Sequence, residues 1–204
     1  MKKALLVLTL AVFVATGAFA QIVLGITGVQ YYEEVNGKLP TVKEAWADFK
    51  EGTGVFWGGY GEIVLGKLGL GLSFNQQTFK DEFERALDTW NYDVNFFLSY
   101  HLFGGRALLD PFLQAGVGMM AFDYKDKEAA RAFYTLTDDP LFASSYFDFG
   151  LGLGINLGGI GIFGKGMWNV QSDEPLYSQE DGGTPIFSWP ILPFKWVFGV
   201  KLIL

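Results

Sequence analysis

From Ile191 to Leu204 the chain reads as a single strand with two unlike faces. Trp196, Phe198, Val200, Leu202 and Leu204 fall two residues apart, with Gly199 and Lys201 between them. Side chains two apart share one face of a strand. One face is therefore wholly apolar, while the other carries a glycine and a charge. A sheet in water does not favour that division. A sheet with one face on lipid and the other on a polar lumen does.

The alternation recurs upstream. It predicts strands at 21–32, 53–66, 67–77, 90–103, 111–124, 143–157, 160–171 and 191–204. The sixth is the clearest: Phe147, Phe149, Leu151, Leu153 and Ile155 against Tyr146, Asp148, Gly150, Gly152 and Gly154. The third sets Leu68, Leu70, Leu72 and Phe74 against Gly69, Gly71, Ser73 and Asn75, and the fourth sets Phe96 and Leu98 against Asn95 and Ser99. Alternation of this length excludes helix. Each segment reaches the roughly 9–11 residues that a tilted strand needs to cross a bilayer.

The connections alternate too. Those after the second, fourth and sixth strands are short: Gly66-Lys67, Gly104 to Asp110, and Gly158-Gly159. Those after the first, third, fifth and seventh are long and hold most of the charge. Short periplasmic turns and long outward loops are the habit of an outer-membrane barrel. A secreted, lipocalin-like barrel also has eight strands, but its outer face must meet water and needs Lys and Glu. The expected fold is all-β: an eight-stranded antiparallel transmembrane up-and-down barrel.

Residues 1–20 read as an export signal. Lys2 and Lys3 precede an apolar run from Ala4 to Ala15, and Ala18-Phe19-Ala20 supplies small residues for cleavage after Ala20. The run is shorter than the roughly 20 residues of a helical span. Residues 21–204 then form one barrel domain, expected in the outer membrane of a diderm bacterium. With no cysteine, disulfides and thiolate metal sites are excluded. A formal charge of −7 without a basic cluster argues against nucleic acid.

On these residues the chain resembles the small eight-stranded outer-membrane barrels of the OmpA transmembrane domain, OmpX and OmpW types. The resemblance rests on the signal, the alternation, the connection lengths and the closing strand. It implies insertion by the barrel-assembly machinery, with Trp196, Phe198, Val200, Leu202 and Leu204 as the assembly signal. The closing strand departs from the usual terminal Phe by ending in Leu204.

Several residues are candidates for a role. Glu62, Lys165 and Lys201 fall on lumen faces at similar depth, and a carboxylate between two ammoniums is expected there, as a salt-bridge plug or an ion-selective site. Asp93 and Asp148 lie nearer the outer mouth, to bind a cation or to hydrogen-bond Tyr and Asn neighbours. Leu70, Phe96, Phe149, Leu151, Leu153 and Leu202 face lipid. His101 is the sole histidine and shares a face with Ser99. A Ser-His pair alone is a weak catalytic signal, and one histidine makes no His-rich metal centre. No cofactor and no metal are expected.

Tyr31, Tyr32, Phe56, Trp57, Trp90, Tyr92, Tyr124, Tyr146 and Trp168 bracket the outer strand ends, with Tyr100 and Phe103 at the inner ends, as an interfacial girdle. Val42, Ala45, Trp46 and Phe49 have helical spacing, as do Phe83 with Leu87, and Ala129, Ala130, Phe133 with Leu136. Such helices either cap the mouth or lie on the membrane surface.

The expected role is a non-enzymatic surface barrel of structural or adhesion type. Its expected partners are outer-membrane lipid, the assembly machinery and a host or surface ligand at the loops. One alternative is a narrow OmpW-like channel for small hydrophobic solutes. The other is a lipid-modifying enzyme, which would need a Ser-His-acid cluster near the outer leaflet.

Overall fold

A computed structural model describes residues 20–32, 38–51, 54–79, 89–126, 128, 141–171, 180–181, 184–185 and 193–204. The segment before Ala20, where the export signal is expected, lies outside the described residues. So do Phe83, Leu87 and the stretch from Ala129 to Leu136.

Eight strands close into one barrel: β1 (Ala20–Tyr32), β2 (Phe56–Leu65), β3 (Leu68–Phe79), β4 (Thr89–His101), β5 (Leu109–Tyr124), β6 (Leu141–Leu157), β7 (Ile160–Gln171) and β8 (Phe194–Ile203). Neighbours in sequence pair antiparallel around the ring, and β1 closes on β8 from Val23↔Ile203 to Tyr32↔Phe194. Closure leaves no edge strand, as a sheet in lipid requires. β2 begins at Phe56 rather than 53, because Gly54 turns there with φ +75°. β8 begins at Phe194 rather than 191. The Gly66 and Gly158 turns take φ of +65° and +70°, a region glycine enters without penalty, so two residues suffice to reverse the chain.

The outside is predominantly apolar, with Gln30, Gln76, Asp123 and Ser145 on the same face toward the strand ends away from the short turns. Leu70, Phe96, Phe149, Leu151, Leu153 and Leu202 all lie on it and are 44–59% exposed. Trp57, Trp90 and Trp168 stand on its outer rim. Rings continue along it from Phe149 to Trp168, Phe194, Trp196 and Phe198, with neighbouring centroids 5.3–6.2 Å apart. Part of the expected girdle is elsewhere. Tyr31, Phe56, Tyr124 and Tyr146 are wholly or largely buried within the barrel. Their register puts them on lumen faces, where the alternation that fixes the sheet overrides any preference of the ring for the interface.

The lumen is filled by rings lying over glycines. Phe97 is registered opposite Gly71, Phe112 opposite Gly152, Tyr146 opposite Gly118, Tyr60 opposite Gly25 and Phe163 opposite Gly199. At each of these glycines an added Cβ would overlap the partner's ring. A narrow barrel thus takes large side chains from one strand because the strand beside it supplies none.

Helix α1 (Val42–Glu51) lies in the first outward connection. Thr41 and Glu44 form a capping box: Glu44 Oε2 accepts the Thr41 backbone N–H at 2.8 Å, and the Glu44 N–H donates to Thr41 Oγ1 at 3.3 Å. The helix does not cap the mouth. It packs on the outer wall, where the Phe49 ring sits against Gly28, Trp57 and Phe198, and Trp46 meets Phe198 with centroids 5.3 Å apart. The Trp196 indole N–H donates to the Pro40 carbonyl at 3.2 Å and Tyr32 OH to Asp48 at 3.3 Å, which strap both ends of the segment to the barrel.

Candidate functional site: the polar lumen

Two hydrogen-bonded clusters occupy the lumen. The lower one lies toward the short turns. His101, the last residue of β4, turns Nδ1 to Asp110 (2.9 Å to Oδ1, 3.0 Å to Oδ2) and Nε2 to Glu62 Oε1 (3.2 Å) and Ser99 Oγ (3.1 Å). The Ser99 hydroxyl donates to Glu62. Lys201 donates to Asp110 Oδ2 at 3.1 Å. The five side chains are at most 7% exposed.

The upper cluster joins β4, β6 and β8. Lys195 reaches Asp148 Oδ2 at 2.8 Å and donates to Tyr146 OH at 3.0 Å. Tyr146 in turn donates to Asp93. Asn95 donates to Asp148 Oδ2 at 3.1 Å, and beside the same cavity Thr27 of β1 donates to Asn75 Oδ1 of β3 at 2.6 Å. Between the clusters Lys165 donates to Gln114 Oε1 at 2.8 Å, with its ammonium 5.0 Å from the centre of the Phe97 ring. At the short-turn end Gln21 and Asn156 both donate to the Gly105 carbonyl, which draws the β4–β5 turn across the opening.

Glu62, Lys165 and Lys201 line one small cavity, but the expected carboxylate between two ammoniums is not what forms. Glu62 bonds Ser99 and His101, Lys201 bonds Asp110, and Lys165 bonds an amide. Asp110 and Lys195 are members of these clusters that the sequence reading does not single out. Each lies an even number of residues from a lumen position on its own strand: Asp110 from Gln114, Lys195 from Lys201. That spacing was the available signal. Asp93 and Asp148 are at most 1% exposed, deep in the lumen, and bond Tyr146, Asn95 and Lys195.

The Ser99–His101–Asp110 order has the outline of a nucleophilic triad, but the hydrogen bonds around it are differently arranged. Both imidazole nitrogens face carboxylates, which accept and do not donate, and a ring protonated at both cannot take a proton from Ser99. The Ser99 hydrogen is committed to Glu62. The cavity here is about 20 Å³ and the one at the upper cluster about 10 Å³, space for a water molecule at most. Among the described residues no group of three or more His, Cys, Asp or Glu side chains could hold a metal ion.

No protein-family model matches the sequence, and neither does any curated protein. Solved structures do match. The N-terminal β-barrel domain of Pseudomonas aeruginosa OprF aligns with TM-score 0.53 and 11% identity, over 91% of this chain and 98% of that one. Ail, the attachment invasion locus protein of Yersinia pestis, aligns with TM-score 0.46 and 12% identity, over 91% and 97%. P. aeruginosa OprG aligns with TM-score 0.45 and 13% identity, over 91% and 95%. The likeness is one of fold: a closed, eight-stranded antiparallel barrel.

Proposed function

We propose that this protein is a closed, non-enzymatic barrel of the diderm outer membrane, whose lumen is a packed core and whose working surface is its outward connections. The charge inside the barrel carries the reading. Glu62, Asp93, Asp110 and Asp148 are buried with Lys165, Lys195 and Lys201, and the imidazolium of His101 supplies a fourth cation. Among the described residues, four charges of each sign, with direct contacts among most of them, make a neutral plug. A selective pore would instead leave one sign unpaired along an open path.

The apolar outer wall supports a membrane position, because the exposed faces of Leu70, Leu151 and Leu202 would be costly in water. The expected export signal and the fold shared with the OprF barrel domain support the outer membrane in particular. Lipid and the barrel-assembly machinery are then the partners of the wall and of the closing strand. A surface ligand, if the protein has one, meets the long connections. The filled lumen speaks against the narrow channel for hydrophobic solutes. The enclosed Ser99–His101 pair speaks against lipid-modifying chemistry.

Liposome swelling tests this reading. Vesicles carrying the refolded, signal-free protein should swell in isosmotic arabinose no faster than empty vesicles. Swelling that rises in proportion to the protein incorporated would refute the plug.

A further inference from the structure

We propose that the groove between helix α1 and the barrel wall is a site for one acyl chain of a membrane lipid. The inference rests on the membrane position argued above. The groove has a volume of about 630 Å³, within the range of small-molecule sites. Phe49, Trp46 and Phe198 form its aromatic side, and Ile26, Ile162 and Val200 its aliphatic side. Gly28 and Gly164 line it without side chains.

Three observations select the occupant. First, the lining is almost wholly apolar, its side-chain polar groups being one hydroxyl and the indole N–H groups of Trp46 and Trp57. Its one hydroxyl, on Thr27, is spent on Asn75 inside the barrel at 2.6 Å. A peptide laid here would bring more backbone N–H and C=O groups than these can partner, at several kcal/mol each by transfer from water, whereas an alkyl chain brings none. Second, the groove is continuous with the lipid-facing wall: Ile26, Leu153, Ile162 and Val200 line it and are 49–68% exposed on that wall. A lipid chain therefore enters sideways, without leaving the apolar phase. Third, its rim is built and held. The Thr41–Glu44 cap starts the helix, Trp196 and Tyr32 tether it, and Gly28 leaves the space into which the Phe49 ring descends. Left empty, an apolar recess of this size would forfeit contacts that a chain restores.

Native mass spectrometry of the folded barrel, released from micelles containing dimyristoyl phosphatidylglycerol, tests the site. Wild type should carry one retained phospholipid. Gly164→Leu should lose it: a Cβ at Gly164 lies 3.4 Å from Phe198, an ordinary contact, so the barrel tolerates the side chain while the groove fills. Retention should fall about tenfold or more, the weakening expected when two methylenes lose their contacts. Phe49→Ala, which removes part of the clamp without altering a strand residue, should weaken retention in the same direction. No retained phospholipid in wild type, or a graded series of adducts indifferent to Gly164→Leu, overturns the proposal. Protease protection of the same protein in vesicles keeps the two readings apart. A protected barrel with no specific adduct loses the groove alone, and an unprotected barrel loses the membrane position as well.

Discussion

The ring of Phe112 lies across the backbone of Gly152, its registered partner on the adjacent strand, at a position where any Cβ would overlap it. Four further pairs repeat the arrangement around the lumen. Glycine on these faces is therefore the complement of an aromatic ring, and the open space it suggests is occupied.

Gly152→Val should overpack the lumen and destabilise the barrel by about 1–3 kcal/mol. Phe112→Ala should cost about 3–5 kcal/mol by leaving a cavity. The double variant should be less damaged than the two losses summed. Urea titration of the refolded proteins reads this; strictly additive losses would show that ring and glycine do not share the space.

Asp110 accepts from both His101 and Lys201 at the foot of the lumen. Asp110→Asn should lower stability by about 3–5 kcal/mol, the usual cost of leaving a buried charge without its partner. Adding Lys201→Met should recover part of that loss. Equal stability of Asp110→Asn and wild type would mean that the lower cluster contributes nothing to holding the barrel.

The alternation made the eight strands legible, because a period of two over ten or more residues admits one backbone and one division of faces. The partners within the lumen were less legible. The approach of Glu62 to His101 joins β2 to β4, whose residues are 39 apart in sequence, and depends on the stagger between strands, which period alone leaves open. From the sequence Asp110 closes a turn, yet Pro111 after it does not interrupt the ladder: β5 starts at Leu109, where a strand's first residues tolerate proline. Tyr31 and Tyr146 were assigned by residue type to the girdle, when their parity with Val29 and Asp148 had already sent them inward. Helix α1 was legible from the spacing of Val42, Ala45, Trp46 and Phe49. Its seat on the wall was not, because that seat depends on Gly28, an outward glycine with no partner in its own segment.

Leu153→Arg places a charge on the lipid-facing wall. It should reduce insertion by roughly 2–4 kcal/mol at mid-bilayer, and by less toward the interface. Folding yield into vesicles measures this. Yield equal to wild type would contradict the assigned face.

The helix cap should respond to acid. The Glu44 carboxylate is held below its ordinary range, first by the Thr41 backbone N–H and then by the Thr41 hydroxyl. The unfolded segment therefore takes up its proton before the capped one does. The cap's contribution is complete above the ordinary carboxylate range and is lost as pH falls through the lowered value. Trp46 emission, which reports helix docking, should shift on acidification in wild type, and the shift should be absent in Glu44→Gln. An identical acid response in both proteins would assign it to another group.

The most direct test of a closed barrel is the conductance of the refolded, signal-free protein in a planar bilayer. A packed, charge-neutral lumen predicts stable insertion without discrete current steps, in wild type and at high salt alike. Reproducible unitary steps from wild-type protein would contradict it, and with it the packing of Phe97, Phe112 and Phe163 across the bore.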